Sequence, residues 1–321
     1  MIRHRKVEER TIVSSNSHCN VPLITDVKRH SFEDGHGIRS VVFFKGCPLR
    51  CVFCQNPETQ SREVEIAFSE RECIRCGTCV KVCSQGAIDL DFPGHIRRER
   101  CVPCRDCAAG CPGKGLRVIG SYYSPEALAE VLLRDLPFYR HSGGGVTLSG
   151  GEATLYPDYL GSLLALLKRS QVHVALQTCG HFDYASFARQ VLPYLDVIYY
   201  DLKVADPKAH RRSTGRDNRW ILDNFRKLAQ GKRVPIHARI PLVPGITDGQ
   251  ENLLAIAKIL RGSGAKDVML LPYYPLGMEM ATCLGRPSPP LPTAFMNHKE
   301  EKGIYDWFQR LLVGKDDLDA G

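Results

Sequence analysis

Eleven of the chain's fourteen cysteines fall into three spaced sets. The first is Cys47, Cys51 and Cys54, spaced C-x3-C-x2-C. The second is Cys73, Cys76, Cys79 and Cys83. The third is Cys101, Cys104, Cys107 and Cys111, followed by Pro112; both share the spacing C-x2-C-x2-C-x3-C. A [4Fe–4S] cube needs four thiolates to close its coordination. The eight later cysteines can close two cubes. The first three have no fourth cysteine nearby, so a cube there keeps one iron open to a ligand. Three iron–sulfur clusters are therefore predicted, with the chemistry at the first.

Zinc is the competing metal. Its sites commonly pair two C-x2-C knuckles, whereas three cysteines at C-x2-C-x2-C followed by C-x3-C match iron–sulfur ligation better. Residues 1–20 are polar and lack the apolar core of a signal peptide, and no run is long enough to span a membrane. A cytoplasmic, non-membrane protein is expected, and there dense cysteines bind metal rather than pair as disulfides. The net charge of +8 suits ordinary surface charge or a partner with an acidic face, such as a small electron carrier. The basic clusters are short and lack interleaved aromatics, which argues against a nucleic-acid partner.

At 321 residues and 43% hydrophobic, the chain can bury one large α/β domain or a domain with a small insert. Apolar, β-branched runs stand at residues 41–44, 146–148, 172–176, 197–200, 236–240 and 268–271. Helical patterns lie between most of them: 125 to about 139, opened by the Ser124-Pro125 cap, then 159–168, 184–191, 220–229, 252–260 and 299–312. Strands alternating with such helices imply a parallel sheet, here a partial (β/α)6 barrel that does not fully close. The expected organisation is an extension over 1–24, the barrel over 25–66 and 116–321, and a cysteine-rich insert over 67–115.

Residues 71–87 and 99–115 repeat the cysteine spacing, and the insert resembles a two-cluster ferredoxin module. In such modules the fourth cysteine of each run ligates the other cluster. The resemblance implies one cube on Cys73, Cys76, Cys79 and Cys111, and another on Cys83, Cys101, Cys104 and Cys107. Metal would then tie together a stretch with little apolar core.

In barrels of parallel strands, active groups gather at the strands' C-terminal ends. Cys47 follows the first run, Ser149-Gly150-Gly151-Glu152 the second and Gln177-Thr178-Cys179-Gly180 the third. Asp201-Leu202-Lys203 follows the fourth, Arg239 and Pro241 end the fifth, and Pro272-Tyr273-Tyr274 ends the sixth. Six separate segments converge on one face. The open iron can chelate an amino acid through its nitrogen and carboxylate. Phe53 can lie against an adenine or simply pack. Gly150 and Gly151 let backbone approach a ligand, and Glu152 can accept from an ammonium group. Asp201 and Lys203, at i and i+2, share one strand face, as a functional pair or as a surface ion pair.

The chain resembles a radical S-adenosylmethionine (SAM) enzyme, and specifically the activating enzymes of glycyl radical enzymes, from about residue 25 to 312. The resemblance is carried by Asp34-Gly-His-Gly-Ile-Arg39, by Gly46-Cys-Pro-Leu-Arg-Cys-Val-Phe-Cys-Gln-Asn-Pro-Glu58 and by Val146-Thr-Leu-Ser-Gly-Gly-Glu152. Asp201-Leu-Lys203, His210 with Thr214-Gly215, and Leu271-Pro-Tyr-Tyr-Pro-Leu-Gly277 complete it. The insert resembles the branch serving decarboxylases, dehydratases and lyases.

The resemblance implies SAM as cosubstrate, with contacts from Phe53, Cys54, Gln55, Gly150, Gly151, Glu152, Asp201, Leu202, Lys203, Arg239 and Tyr274. Asp201 and Lys203 are the implied catalytic pair, which orders the site when the substrate peptide binds. Arg239 either reaches the SAM carboxylate or ribose, or forms a rim salt bridge. The implied partners are a glycyl radical enzyme and a flavodoxin or ferredoxin-type reductant. The chain departs from the family at Tyr274, where histidine is usual, at Gln177, where an acidic residue often helps bind a monovalent cation, and at His36, where proline is usual. Cys19, Cys179 and Cys283 read as free buried thiols. Two rivals remain: a radical SAM enzyme acting on a small molecule, and a pure electron-transfer protein.

Overall fold

The computed structural model describes residues 21–265 and 267–313. Cys19 and most of the N-terminal extension lie outside them. The strands are β1 (Leu23–Ser31), β2 (Arg39–Phe44), β3 (Glu65–Phe68), β4 (Leu116–Ile119), β5 (Ser121–Tyr122), β6 (Gly145–Gly150), β7 (His173–Thr178), β8 (Val197–Asp201), β9 (Ile236–Pro241) and β10 (Val268–Leu271). One mixed sheet runs in the order β10-β9-β8-β7-β6-β2-β1-β5. From β2 to β10 its neighbours are all parallel, while β1 pairs antiparallel with both β2 and β5.

The six parallel strands coincide with the six apolar runs of the sequence. Four of them, β2, β6, β7 and β8, read clearly because they are covered on both faces: Val41, Val42, Val146, Leu148, Val174, Leu176 and Ile198 are all fully buried, whereas β9 and β10 are only partly buried. The sheet stays open, with β10 and β5 at its edges.

The helices are α1 (Thr78–Val82), α2 (Asp106–Ala109), α3 (Pro125–Leu133), α4 (Leu136–Ser142), α5 (Pro157–Arg169), α6 (Tyr184–Gln190), α7 (Pro207–Thr214), α8 (Arg219–Gly231), α9 (Gln250–Ser263), α10 (Gly277–Cys283) and α11 (His298–Leu312). Most lie where helical spacing placed them. In α5, Tyr159, Leu160, Leu163, Leu164 and Leu167 form the buried stripe. Truncating such a leucine to alanine costs about 2–5 kcal/mol.

The helix expected from 125 to about 139 is instead two. Pro137 has no N–H, and its ring would clash with the Leu133 carbonyl in a continuous helix. The chain breaks at Arg134-Asp135 and restarts with the proline in the first turn of α4. The break frees Asp135 to accept from Arg29 Nε at 2.8 Å and Ser40 Oγ at 2.6 Å, buried behind the sheet edge.

β3 and β4 form a separate antiparallel pair at whose far end residues 69–115 leave and return. That stretch has a small core of its own, Ile66, Phe68, Ile88, Ile96, Cys107 and Leu116, with five further cysteines packed against it. Among the described residues no helix is long and apolar enough to cross a membrane.

Candidate functional site

The chain leaves β2 through Lys45-Gly46 and enters the loop that carries Cys47, Cys51 and Cys54. Two backbone bonds pin this loop to the last turn of α7: Arg50 N to Thr214 O at 2.7 Å and Val52 N to Ser213 O at 2.9 Å. His210 closes that turn. Its buried Nδ1 lies 2.6 Å from Arg216 O and 3.0 Å from Thr214 Oγ1, and burial lowers its pKa. The family-matched histidine is thus a strut under the cysteine loop.

On the other side, α10 presses against the loop. A Cβ on Gly277 would stand 2.1 Å from Cys54 O, so only glycine fits there. Gln55, the next residue, is exposed.

The three thiols sit in different fields. Burial pushes Cys54 up to about 11 and Cys51 higher still. Cys47 is held below its ordinary value by a hydrogen bond from the Cys179 thiol, which is itself raised by that bond and by burial. Cys179 is a buried thiol as expected, but it stands against a cysteine of the loop. Its place in the turn after β7 was legible; its neighbour, far away in sequence, was not. Among the described residues no group of three or more His, Cys, Asp or Glu is gathered to hold a single metal ion. Three soft thiols in one short loop are the donor set that an iron–sulfur cluster takes.

Glu152 is fully buried. Its Oε1 accepts from Thr154 Oγ1 at 2.7 Å, Thr178 Oγ1 at 2.9 Å and Thr154 N at 3.3 Å; its Oε2 accepts from Cys179 N at 2.7 Å. The carboxylate therefore ties the turn after β6 to the turn after β7. Three of its bonds fall on Oε1, which leaves Oε2 with capacity for one more donor.

The two glycines before it serve the chain's own backbone. A Cβ on Gly150, at φ +102°, would meet Phe44 N at 2.3 Å, and one on Gly151 would meet Gly46 O at 2.2 Å. Their smallness lets the β6 turn lie directly on the start of the cysteine loop, where Glu152 N donates to Gly46 O at 2.8 Å.

Asp201 and Lys203 do share a face. Lys203 Nζ lies 2.8 Å from Asp201 Oδ2, and Arg239 Nε and Nη2 both lie 2.7 Å from Asp201 Oδ1. Arg239 thus forms an ion pair at the rim, reaching across from β9. Burial works against each charge in the pair, but their mutual attraction prevails. It holds Asp201 below the usual carboxylate range and, aided by Cys51 and Cys179, holds the Lys203 ammonium above its own. Leu202 between them is buried, its N donating to Arg239 O at 2.9 Å.

Phe53 packs in an apolar group with Val243 and Tyr273. Tyr273, whose hydroxyl donates to Pro292 O at 2.9 Å, is the buried one of its pair. Tyr274 is 44% exposed and meets Phe295 edge-on, so it does not join this group. Gln177 bridges two motifs: it donates to Asp34 Oδ1 at 3.0 Å and accepts from Ser149 Oγ at 2.6 Å.

The eight cysteines of the insert sort into two neighbourhoods. Cys73, Cys76, Cys79 and Cys111 line one narrow hollow together with Phe68 and His95. Cys79 feels the charges of Cys111 and Cys73, and Cys107 those of Cys101, Cys104 and Cys83. Cys83 therefore stands with the downstream run, and Cys111 with the upstream one.

The radical SAM superfamily profile matches residues 41–257. The isethionate sulfite-lyase activating enzyme of Nitratidesulfovibrio vulgaris is 37% identical over 271 residues, covering 82% of this chain and 88% of that one. The choline trimethylamine-lyase activating enzyme of Oleidesulfovibrio alaskensis is 36% identical over 271 residues, covering 82% and 87%. Among solved structures, a radical SAM methyltransferase from Sphaerobacter thermophilus shares the fold at a TM-score of 0.50 and 13% identity, covering 91% of this chain and 75% of that one.

Proposed function

We propose a three-cluster architecture for this chain, which belongs to the radical SAM superfamily and, within it, to the activating enzymes of glycyl radical enzymes. In this reading Cys47, Cys51 and Cys54 hold the open-iron cluster. Cys73, Cys76, Cys79 and Cys111 hold a second, and Cys83, Cys101, Cys104 and Cys107 a third. When bound, the open-iron cluster and SAM supply the one-electron cleavage that yields a 5′-deoxyadenosyl radical, which takes a hydrogen from the Cα of a glycine on the partner protein.

The chain's own residues prepare that event. The three thiols must lose their protons to bind metal, so loading is coupled to proton release. Cys179, whose thiol acts on Cys47, stands where an outer-shell group could tune a metal-bound sulfur. Glu152 fixes the two turns that flank the site and offers its remaining acceptor position to an ammonium group. Lys203, already paired with Asp201, supplies a fixed positive charge beside Cys51. Phe53, Tyr273 and Val243 form an apolar wall that keeps water from the adjoining backbone. The insert is read as an electron relay fed by a flavodoxin or ferredoxin-type reductant, and the protein as cytoplasmic.

The observation that carries this reading is the meeting of Cys47, Glu152, Cys179 and Lys203, from four different strand ends, within one buried electrostatic neighbourhood. The test is anaerobic incubation of the reconstituted protein with SAM, reductant and a candidate partner, followed by electron paramagnetic resonance. A glycyl radical on the partner is expected. SAM cleavage that never yields one on any candidate would favour a small-molecule substrate.

A further inference from the structure

His95 is 6% exposed, and its Nδ1 is buried with no hydrogen-bond partner. Buried polar atoms in this state are rare and call for a cause. The residue also holds φ +57°, the left-handed region that a non-glycine side chain seldom adopts. A tight turn enforces it: His95 N donates to Phe92 O at 2.8 Å, Asp89 N donates to His95 O at 3.0 Å, and Ile88 bridges Ile96. The turn drives the ring inward onto Phe68, with centroids 4.1 Å apart. There it lines the same hollow as Cys73, Cys76, Cys79 and Cys111. An orphaned ring nitrogen beside four thiols is explained if something in that hollow accepts from it.

We propose that His95 Nδ1–H donates a hydrogen bond to a sulfur of the cluster on Cys73, Cys76, Cys79 and Cys111, and so raises that cluster's reduction potential above what its thiolates alone would set. The inference rests on the reading that these four cysteines hold a [4Fe–4S] cluster. Hydrogen bonds to cluster sulfurs favour the more negative, reduced state. His95 acts here as a positioning and tuning residue. The other set is the internal control, because His95 is not among the groups acting on Cys101 or Cys107.

The experiment is a redox titration of the reconstituted full chain, followed by electron paramagnetic resonance, for wild type, His95→Phe and His95→Gln. In His95→Phe one auxiliary cluster is expected to become at least tenfold harder to reduce, a shift of 59 mV for one electron. The other two clusters should be unchanged, with the iron count intact. His95→Gln, which keeps a donor, should recover part of the shift. A second measurement needs no variant: with 15N in histidine alone, pulsed spectroscopy of the reduced native protein should show a weak nitrogen coupling to one cluster. Unchanged potentials at full iron content, or no histidine coupling in the native protein, overturn the proposal. About eight iron atoms in well-reconstituted wild type, or zinc in the insert, would instead overturn the cluster assignment beneath it.

Discussion

Replacing Glu152 with glutamine tests whether this carboxylate is the tie between two strand ends. Glutamine keeps the shape but turns one acceptor into a donor. With the amide oxygen at the Oε1 position, the NH2 group faces Cys179 N–H, donor against donor, at a fully buried position. With the amide flipped, Cys179 keeps its bond, the two threonine hydroxyls can turn to accept, and Thr154 N loses its long 3.3 Å bond. In either orientation one buried N–H is stranded, and the surviving bonds lose their charge assistance. The cost is about 1–3 kcal/mol, or about one to two orders of magnitude in local opening. Amide exchange read by mass spectrometry over residues 176–182 of the cluster-loaded protein should accelerate by that factor. SAM binding should weaken, and the iron content should hold. Wild-type exchange across this turn would show that Glu152 does not hold it, and the account of the site's rigidity would be wrong.

Anaerobic reconstitution should give on the order of twelve iron atoms per chain, and alanine at Cys47, Cys51 and Cys54 together should leave about two-thirds of that iron and abolish SAM cleavage; an iron content near eight atoms in wild type contradicts three clusters. Lys203→Ala removes the ammonium from Asp201 while Arg239 remains, so iron loading should persist and partner activation should fall more than uncoupled SAM cleavage; equal loss of both would detach the pair from the partner's glycine. Cys83→Ala should damage the cluster of Cys101, Cys104 and Cys107 and spare that of Cys73, Cys76 and Cys79, as distinguished by the redox titration of each signal. Loss of the upstream cluster instead would mean sequential ligation.

The parts of this fold legible in the sequence are those where one local pattern decides the outcome. The parallel strands β2, β6, β7 and β8 are covered on both faces and read as apolar runs, while β9 and β10 are only partly buried and are marked by their β-branched and apolar residues alone. The cysteine loop and the Gly150-Gly151-Glu152 turn read from motif and position. By contrast β1, Leu-Ile-Thr-Asp-Val-Lys-Arg-His-Ser, buries only Leu23, Ile24 and Ser31. Its place is set by pairing with β2 and β5, so no periodicity announces it. α7 is almost wholly polar, so no apolar spacing announces it. A signal existed: Asp206 caps it by accepting from Ala209 N, with Pro207 in its first turn. The roles of Arg239, Tyr273, Gln177 and Cys179 depend on partners brought close only by the sheet. Sequence could place them at strand ends but could not say which neighbour each would take.

One such unannounced contact set explains how the insert and the barrel act as a unit. Lys45, at the exit of β2 and wholly buried, donates to Glu65 Oε2 at 2.6 Å and to Glu58 O at 2.7 Å. Glu65, the first residue of β3, also accepts from Arg286 Nη2 at 2.6 Å, and Arg286 bonds Pro57 O as well. Arg98, deep in the insert, bonds Ile66 O and reaches Cys283 O at 3.1 Å. The root of the insert, the tail of the Cys47–Cys54 loop and the end of α10 thus share one polar joint, buried at Lys45 and half-buried at Glu65, Arg98 and Arg286. Removing the Glu65 carboxylate would strand the buried Lys45 ammonium, which for a buried pair costs about 3–5 kcal/mol, so the joint resists bending. α10 runs from that joint to the Cys54 backbone, which Gly277 touches. A displacement of the insert would therefore reach the cysteine loop both through Pro57-Glu58 and along α10. On the proposed three-cluster reading, electron transfer between clusters needs a distance that stays fixed, and docking a partner's glycine loop needs a fixed rim. The same joint meets both requirements, with the Lys45 ammonium buried and the Glu65 carboxylate and Arg286 guanidinium half-buried against it.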